Sequence, residues 1–392
     1  MGALSGLTVL DCTHVIAGSW CSLLLADLGA DVVKIEPLAG ELTRGRPHNA
    51  FKPFDFVNRN KRAIAVDITT TEGADVVKRL AVNADVFVEN YRPGVVARSG
   101  LGYDDLRAIN RGLVYCSISG FGQTGPYRDR GGFDLIAQAM SGIMSFTGEI
   151  GSERPVSAGV PLSDLNAGTF GALGILAALR HRDLTGEGQM VETSLLESAM
   201  AYTVWETGLH LTTGAVASPN GSRHRLAAPY EALKTADGFL VVGVNSNRLW
   251  DRLCKGLDDE ALRVDPRFDS PVKRVDNRDE LQDRLEEILR RASTDQWVER
   301  LLAEGVPCGP LNTIDAALRD PHIEARGLVV DIDGRRYPRA PLGMSETPVE
   351  VLRGSPGLGA HTRDVLTDAG YSEDELALLV EHGAISFGES GS

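Results

Sequence analysis

The chain has 392 residues, more than one hydrophobic core usually organises, and its 43% hydrophobic and 24% charged residues are those of a folded globular protein, so two domains are expected. Forty Lys and Arg against 54 Asp and Glu leave a formal net charge of -14, which argues against nucleic acid or an anionic membrane as the main partner. Five scattered cysteines without a C-x-x-C pair, and eight histidines without ligand spacing, point to a reduced, cytoplasmic protein that holds no metal.

The first third alternates short β-rich runs with helical patterns. TVLDCT, DVVKIE, AIAVDI, DVFVEN and LVYCSIS read as strands; WCSLLLADLG, EGADVVKRLAVN and the neighbourhood of GVVARSG read as helices. Such alternation predicts an α/β fold with a mostly parallel, doubly wound sheet that binds ligands at its strand ends. A helix is expected from about Ala167 to Arg182, and its apolar run GTFGALGILAAL is by itself too short to span a bilayer. No basic leader precedes LSGLTVLD. Turn formers in TTGAVASPNGSRHR mark a linker, taken as 200–226. A smaller α+β domain, 227–326, follows, with a hairpin around Asp237-Gly238, three helices and a capping box from Ser293 to Gln296. Short strands and two helices resume after Gly327.

Several residues invite a chemical reading. Glu36 closes the second strand, where a dinucleotide-binding fold places its ribose-binding acid, but CTHVIAGS has only one glycine of a G-x-G-x-x-G fingerprint. Arg44, Arg46 and His48 cluster in GELTRGRPHNAF; they are either a solvated loop or a holder for a carboxylate or phosphate. NRNKR, with Lys61 and Arg62, offers the same choice. ENYRPGVVARSG sets Arg92 and Arg98 about an expected helix start, a candidate anion site. In SAGVPLSDLNAGTF the only ionisable residue, Asp164, stands just before a helix. Capping explains it; a reactive carboxylate explains it too, and the two are compatible.

Taken in order, LDCTHVIAGSWCSLLLADLGADVVKIE, NRNKRAIAVDI, ADVFVENYRPGVV, SISGFGQTGPY, GGFDLIAQAMSG, GVPLSDLNAG and GVPCGPLNT closely resemble the class III coenzyme A transferases, from about Leu7 to Ile385. The resemblance implies a Rossmann-like large domain from 1–199 and 327–392 around the smaller domain, and two chains interlocked as a homodimer. It implies an enzyme that moves CoA from an acyl-CoA to a carboxylic acid, with CoA as substrate and no permanently bound cofactor. The family's catalytic aspartate falls on Asp164. Ile16, Ala17, Asn90, Tyr91, Arg92 and Arg98 match CoA-contacting positions, Val66, Asp67, Ile68 and Thr69 an adenosine-contacting stretch, and Phe133 and Asp134 complete the coenzyme set. Pro37 and Thr69 replace basic residues of the family, which turns attention to Lys61, Arg62 and Arg98 for the phosphates. Arg44, Arg46, His48, Arg223 and His224 are the candidates for a substrate carboxylate, and small dicarboxylates with a succinyl-CoA donor are the expected acids.

The family's racemase branch uses its aspartate as an acid/base together with a histidine and a glutamate. Here Phe133 and Ser246 stand near those two positions and cannot carry protons. GVNSNRLW, Gly243 to Trp250, has one glycine where the formyl-CoA branch has a glycine-rich lid, which argues against formyl-CoA or oxalate. A racemase, a non-catalytic CoA-binding protein and a nicotinamide reductase are the rival readings.

Overall fold

In the computed structural model, which describes residues 2–45 and 51–388, the chain divides into two compact units. The larger comprises 1–144, 157–216 and 324–392, and the smaller 145–156 and 217–323. The suggested linker 200–226 includes a helix of the larger unit, Val204–Thr213.

The larger unit is built on a seven-stranded sheet of β1 (Thr8–Cys12), β2 (Asp31–Glu36), β3 (Arg62–Val66), β4 (Val86–Glu89), β5 (Val114–Ser119), β6 (Met190–Ser194) and, from the far end of the chain, β12 (Ile385–Ser386). Their order is β12-β3-β2-β1-β4-β5-β6, and every pair is parallel except β12 on β3. The strands read as largely apolar runs because both faces are covered. Leu10, Val33, Ile64 and Phe87 enter one core, with the Thr71–Ala81 and Thr362–Asp368 helices. Val9, Val32, Val86 and Val88 enter the other, with the Ala17–Asp27 and Leu162–Thr185 helices. The order reverses between β1 and β4, so the loops after these strands diverge and leave a crevice at their carboxyl ends.

The smaller unit has its own core of Trp250, Phe268, Leu285 and Trp297. Its antiparallel sheet joins β7 (Tyr230–Lys234), β8 (Phe239–Gly243) and β9 (Cys308–Pro310), and the Ser293–Gln296 capping box starts the Thr294–Ala303 helix. A separate hairpin of β10 (Val329–Ile332) and β11 (Arg335–Pro338) belongs to the larger unit.

Two helices depart from expectation. The one near GVVARSG is a single 3-10 turn, Val96–Ser99, so no helix N-terminus supports an anion there. The other begins at Leu162, five residues early, and runs 24 residues to Thr185. By length and composition it is long and apolar enough to cross a membrane; here about half of its most apolar stretch is buried, and it packs on the Ala17–Asp27 helix, β5 and β6.

Gly168 permits that packing. A methyl group there would collide with the Ala17 carbonyl and lie 2.9 Å from Trp20 Cδ1 and 3.1 Å from the Cys21 amide nitrogen. Ala in place of Gly normally strengthens a helix by up to ~1 kcal/mol; here the collision is with backbone, so the sign reverses. Gly168→Ala is expected to lose about 1–3 kcal/mol in denaturant titrations, and an unchanged midpoint would show that the two helices part freely.

Candidate active site

The crevice is shaped by the loop that leaves β1. Asp11, fully buried on that strand, accepts from the Thr13 amide (3.0 Å) and hydroxyl (2.6 Å). Its other oxygen takes Lys61 Nζ (2.9 Å) and the Ser22 hydroxyl (2.6 Å), while Lys34 Nζ stands 3.6 Å away and donates to the Thr13 carbonyl at 2.6 Å. Burial alone would raise the Asp11 pKa, but the two ammonium groups and its hydroxyl donors hold it well below the usual carboxylate range. Glu41 Oε2, 3.9 Å from Lys34, brings a second carboxylate to balance the second ammonium. Lys61, lowered by burial to about 8, is thus walled in and is not available to coenzyme phosphates.

Beyond Thr13 the backbone of His14 is clamped by Asn90 from the end of β4: the His14 amide donates to Asn90 Oδ1 and Asn90 Nδ2 donates to the His14 carbonyl, both at 2.8 Å. The next residue, Val15, has φ +61° and donates its N–H to Glu41 Oε2 at 2.9 Å. The Ala17–Asp27 helix then starts without a side-chain cap, so its first-turn N–H groups have no intrahelical partner.

His14, Val15, Ile16 and Ala17 wall a cavity of about 110 Å³ together with Asn90, Phe133, Asp134 and Asp164. Asp164 is the third residue of the Leu162–Thr185 helix, not its cap. That duty falls to Asp134: its Oδ1 accepts from the Ser163 amide at 2.7 Å, and its Oδ2 accepts from Gln138 Nε2 at 2.7 Å. Buried Gln138 also accepts from the Ala158 amide at 2.9 Å, which pins the segment leading to the helix. Asp164 is left with no hydrogen-bond partner for its carboxylate among the described residues. A helix start favours the ionised form, but burial first, and the Asp134 charge second, raise its pKa to about 7.

Two further cavities share walls with this one. Asn90, Tyr91, Arg92, Arg130 and Phe133 line about 510 Å³. Beyond Tyr91 and Val95 lies a space of about 450 Å³ bounded by Cys12, Glu36, Val66 to Thr69 and Arg98. The residues matched to coenzyme positions thus form one run of cavities that ends at Asp164. Arg92 and Arg98 have no carboxylate partner among the described residues.

The candidate carboxylate holders are placed otherwise. Arg44 grips Glu36 with two hydrogen bonds (2.6 and 2.5 Å) and stacks over Phe54. Arg62 pairs with Asp31 at 2.5 Å. In the smaller unit Arg223 is held by Glu231 and Asp279, and His224 stacks on Tyr230 with ring centroids 4.9 Å apart. Arg46 and His48 lie outside the described residues. Ser246 caps the Asn247–Leu257 helix, so GVNSNRLW is a strand end and a first helical turn. Three contributors escaped sequence reasoning: Gln138, Arg130 and Glu41. Glu41 was visible as the acid inside GELTRG, but the basic residues around it drew the attention.

Residues 4–362 match the family described as CoA-transferase family III. The chain is 39% identical to the succinate–glutarate CoA-transferase of Agrobacterium fabrum, with 93% of this chain and 95% of that protein covered. It is 37% identical to the succinyl-CoA:glutarate CoA-transferase of Mus musculus over 98% of this chain and 91% of the other. The crystal structure of a CAIB/BAIF family protein from Brucella suis superposes with a TM-score of 0.86 at 35% identity, covering 94% of this chain and 99% of its own. The chain belongs to the family III CoA-transferases. It is an enzyme that passes CoA between an acyl-CoA and a carboxylic acid.

The electrostatics of the acidic pair can be checked directly. Asp134→Asn keeps an oxygen for the Ser163 amide and removes the charge beside Asp164. The Asp164 carboxyl, followed by carbon NMR, is expected to titrate at lower pH than in the parent protein; an unmoved titration would leave burial as the sole cause.

Proposed function

We propose that Asp164 is the nucleophile of a covalent double displacement, and the observation that carries this reading is its carboxylate left without hydrogen bonds at the end of the cavity run. A carboxylate relieved of capping keeps its lone pairs for attack. One Asp164 oxygen adds to the thioester carbonyl; the C–S bond breaks, CoA leaves as thiolate, and Asp164 becomes a mixed anhydride with the donor acid. The thiolate attacks the aspartyl carbonyl, forming an aspartyl-CoA thioester and expelling the donor as its carboxylate. The acceptor carboxylate attacks this thioester, again releasing the thiolate, which takes the acceptor's acyl group and restores Asp164. Every addition makes an oxyanion, for which the uncapped first-turn N–H groups of the Ala17–Asp27 helix are the donors at the cavity wall. A pKa near 7 suits this cycle: the group ionises at neutral pH and remains basic enough to attack.

Arg92, Arg98 and Arg130 supply the positive charge for the coenzyme phosphates. The acids are small dicarboxylates. That choice is supported by the names of the relatives and no longer by Arg44 or Arg223, whose charges are already paired. No side chain at Phe133 or Ser246 favours the racemase. The enzyme works as a homodimer, in which a second chain covers the exposed Phe133 (71% accessible), Leu173 and Val204 (72%) of the larger unit.

Mass spectrometry after mixing with succinyl-CoA and hydroxylamine is expected to find a hydroxamate on Asp164, and Asp164→Ala should lose at least about a thousandfold in kcat. Turnover with Asp164 unmodified, or with alanine in its place, would remove the covalent route. Light scattering should return twice the chain mass.

A further inference from the structure

Val15 sits at φ +61°, a region that a β-branched residue enters only under constraint, at a cost on the order of 1–3 kcal/mol. The constraint comes from three directions. Lys34 holds the Thr13 carbonyl, Asn90 holds both backbone groups of His14, and Glu41 takes the Val15 N–H. The first two would fix any turn; the third is unusual. Water serves as acceptor for an exposed loop amide, whereas here a carboxylate only 8% exposed is brought from the loop after β2. That carboxylate is itself fixed, by the Thr43 hydroxyl on Oε1 and the buried Lys34 ammonium near Oε2. His14 to Ala17, the four residues set by this arrangement, form one wall of the Asp164 cavity and lead directly into the uncapped helix.

We propose that Glu41 is a positioning residue for CoA transfer: by accepting the Val15 N–H it holds the strained His14–Ala17 turn, and with it the helix N-terminus, in register with the Asp164 carboxylate. Its effect is expected at the reacting centre, because the turn it holds walls the Asp164 cavity, whereas Val66 to Thr69 and Arg98 of the adenosine-side cavity stand on other elements. Misplacement by about 1 Å at such a centre costs up to ~100-fold in rate. The proposal rests on the Asp164 cavity being the place of reaction. Asp164→Ala tests that separately, since normal turnover in that variant would sink the reading of the cavity whatever Glu41 does.

The test compares Glu41→Gln with Glu41→Met, using succinyl-CoA and glutarate as probes. Both variants lose the charge facing Lys34 and keep the side-chain volume; only glutamine keeps an acceptor for Val15. The methionine variant is expected to have a kcat about 10- to 100-fold below that of the glutamine variant, with KM for succinyl-CoA within about threefold. In a Val15→Gly background, where φ +61° costs nothing, the gap between the two should close. Equal kcat values for the two variants, a rise in KM that accounts for the loss, or a gap of the same size in the glycine background would each overturn the proposal. Should Glu41→Met not fold, Glu41→Ala is compared with the parent chain, and Glu41→Ala with Val15→Gly is compared with Val15→Gly alone. A kcat loss of about tenfold or more from Glu41→Ala in the parent chain that disappears in the Val15→Gly background supports the proposal; no loss in the parent, or one that persists in the glycine background, refutes it.

Discussion

The Asp11 carboxylate lies on the central strand with no exposure to water and shares its oxygens between Lys34 of β2 and Lys61 at the entry to β3. Three adjacent strands and the Ala17–Asp27 helix are therefore tied through one group, since Ser19 and Ser22 of that helix join the same network. Removing one partner from such a buried set strands a charge, at a typical cost of about 3–5 kcal/mol. The network lies directly beneath the loop that turns out of β1, so the position of that loop depends on it. The crevice opens there because the strand order reverses beside β1, and the charges fix where its wall stands.

Much of the larger unit was legible in the sequence for a simple reason. A strand covered on both faces is mostly apolar, and TVLDC, DVVKIE and VFVE show this in Val9-Leu10, Val32-Val33 and Val86-Phe87-Val88, although Asp11 and Lys34 are buried among them as an ion pair. What escaped was whatever depended on residues distant in sequence. The start of the Leu162–Thr185 helix was misplaced because its capping oxygen belongs to Asp134, 29 positions away. Arg44 resembled a ligand-binding arginine until Glu36 was found in its grip. Lys61 resembled a phosphate-binding lysine, yet every neighbour that claims it comes from another element or turn. Basic residues in a glycine-rich loop do not show which acids they will meet.

The same limitation explains how Asp164 was read. Alone, a carboxylate before a helix is best understood as a cap, and only the ordered series of motifs pointed elsewhere. In the folded chain the capping role belongs to another residue. Asp134 satisfies the amide, and Gln138 orients Asp134 while anchoring the segment on the other side. Asp164 is surrounded by groups that desolvate it or repel its charge. A local destabilisation of this kind, offset by the packing around it, is common where a protein keeps a group reactive.

This division of labour also bears on how the site can change over generations. Because Asp134 anchors the helix start, the side chain at position 164 can be exchanged without loosening the fold. Relieving a buried, repelled carboxylate even favours the folded state. Position 134 is the reverse: it carries the helix start, and its charge acts on Asp164. If Asp164 has the proposed role, drift there would silence the enzyme and leave behind a sound scaffold with its cavities intact, from which new acyl-CoA chemistry can start.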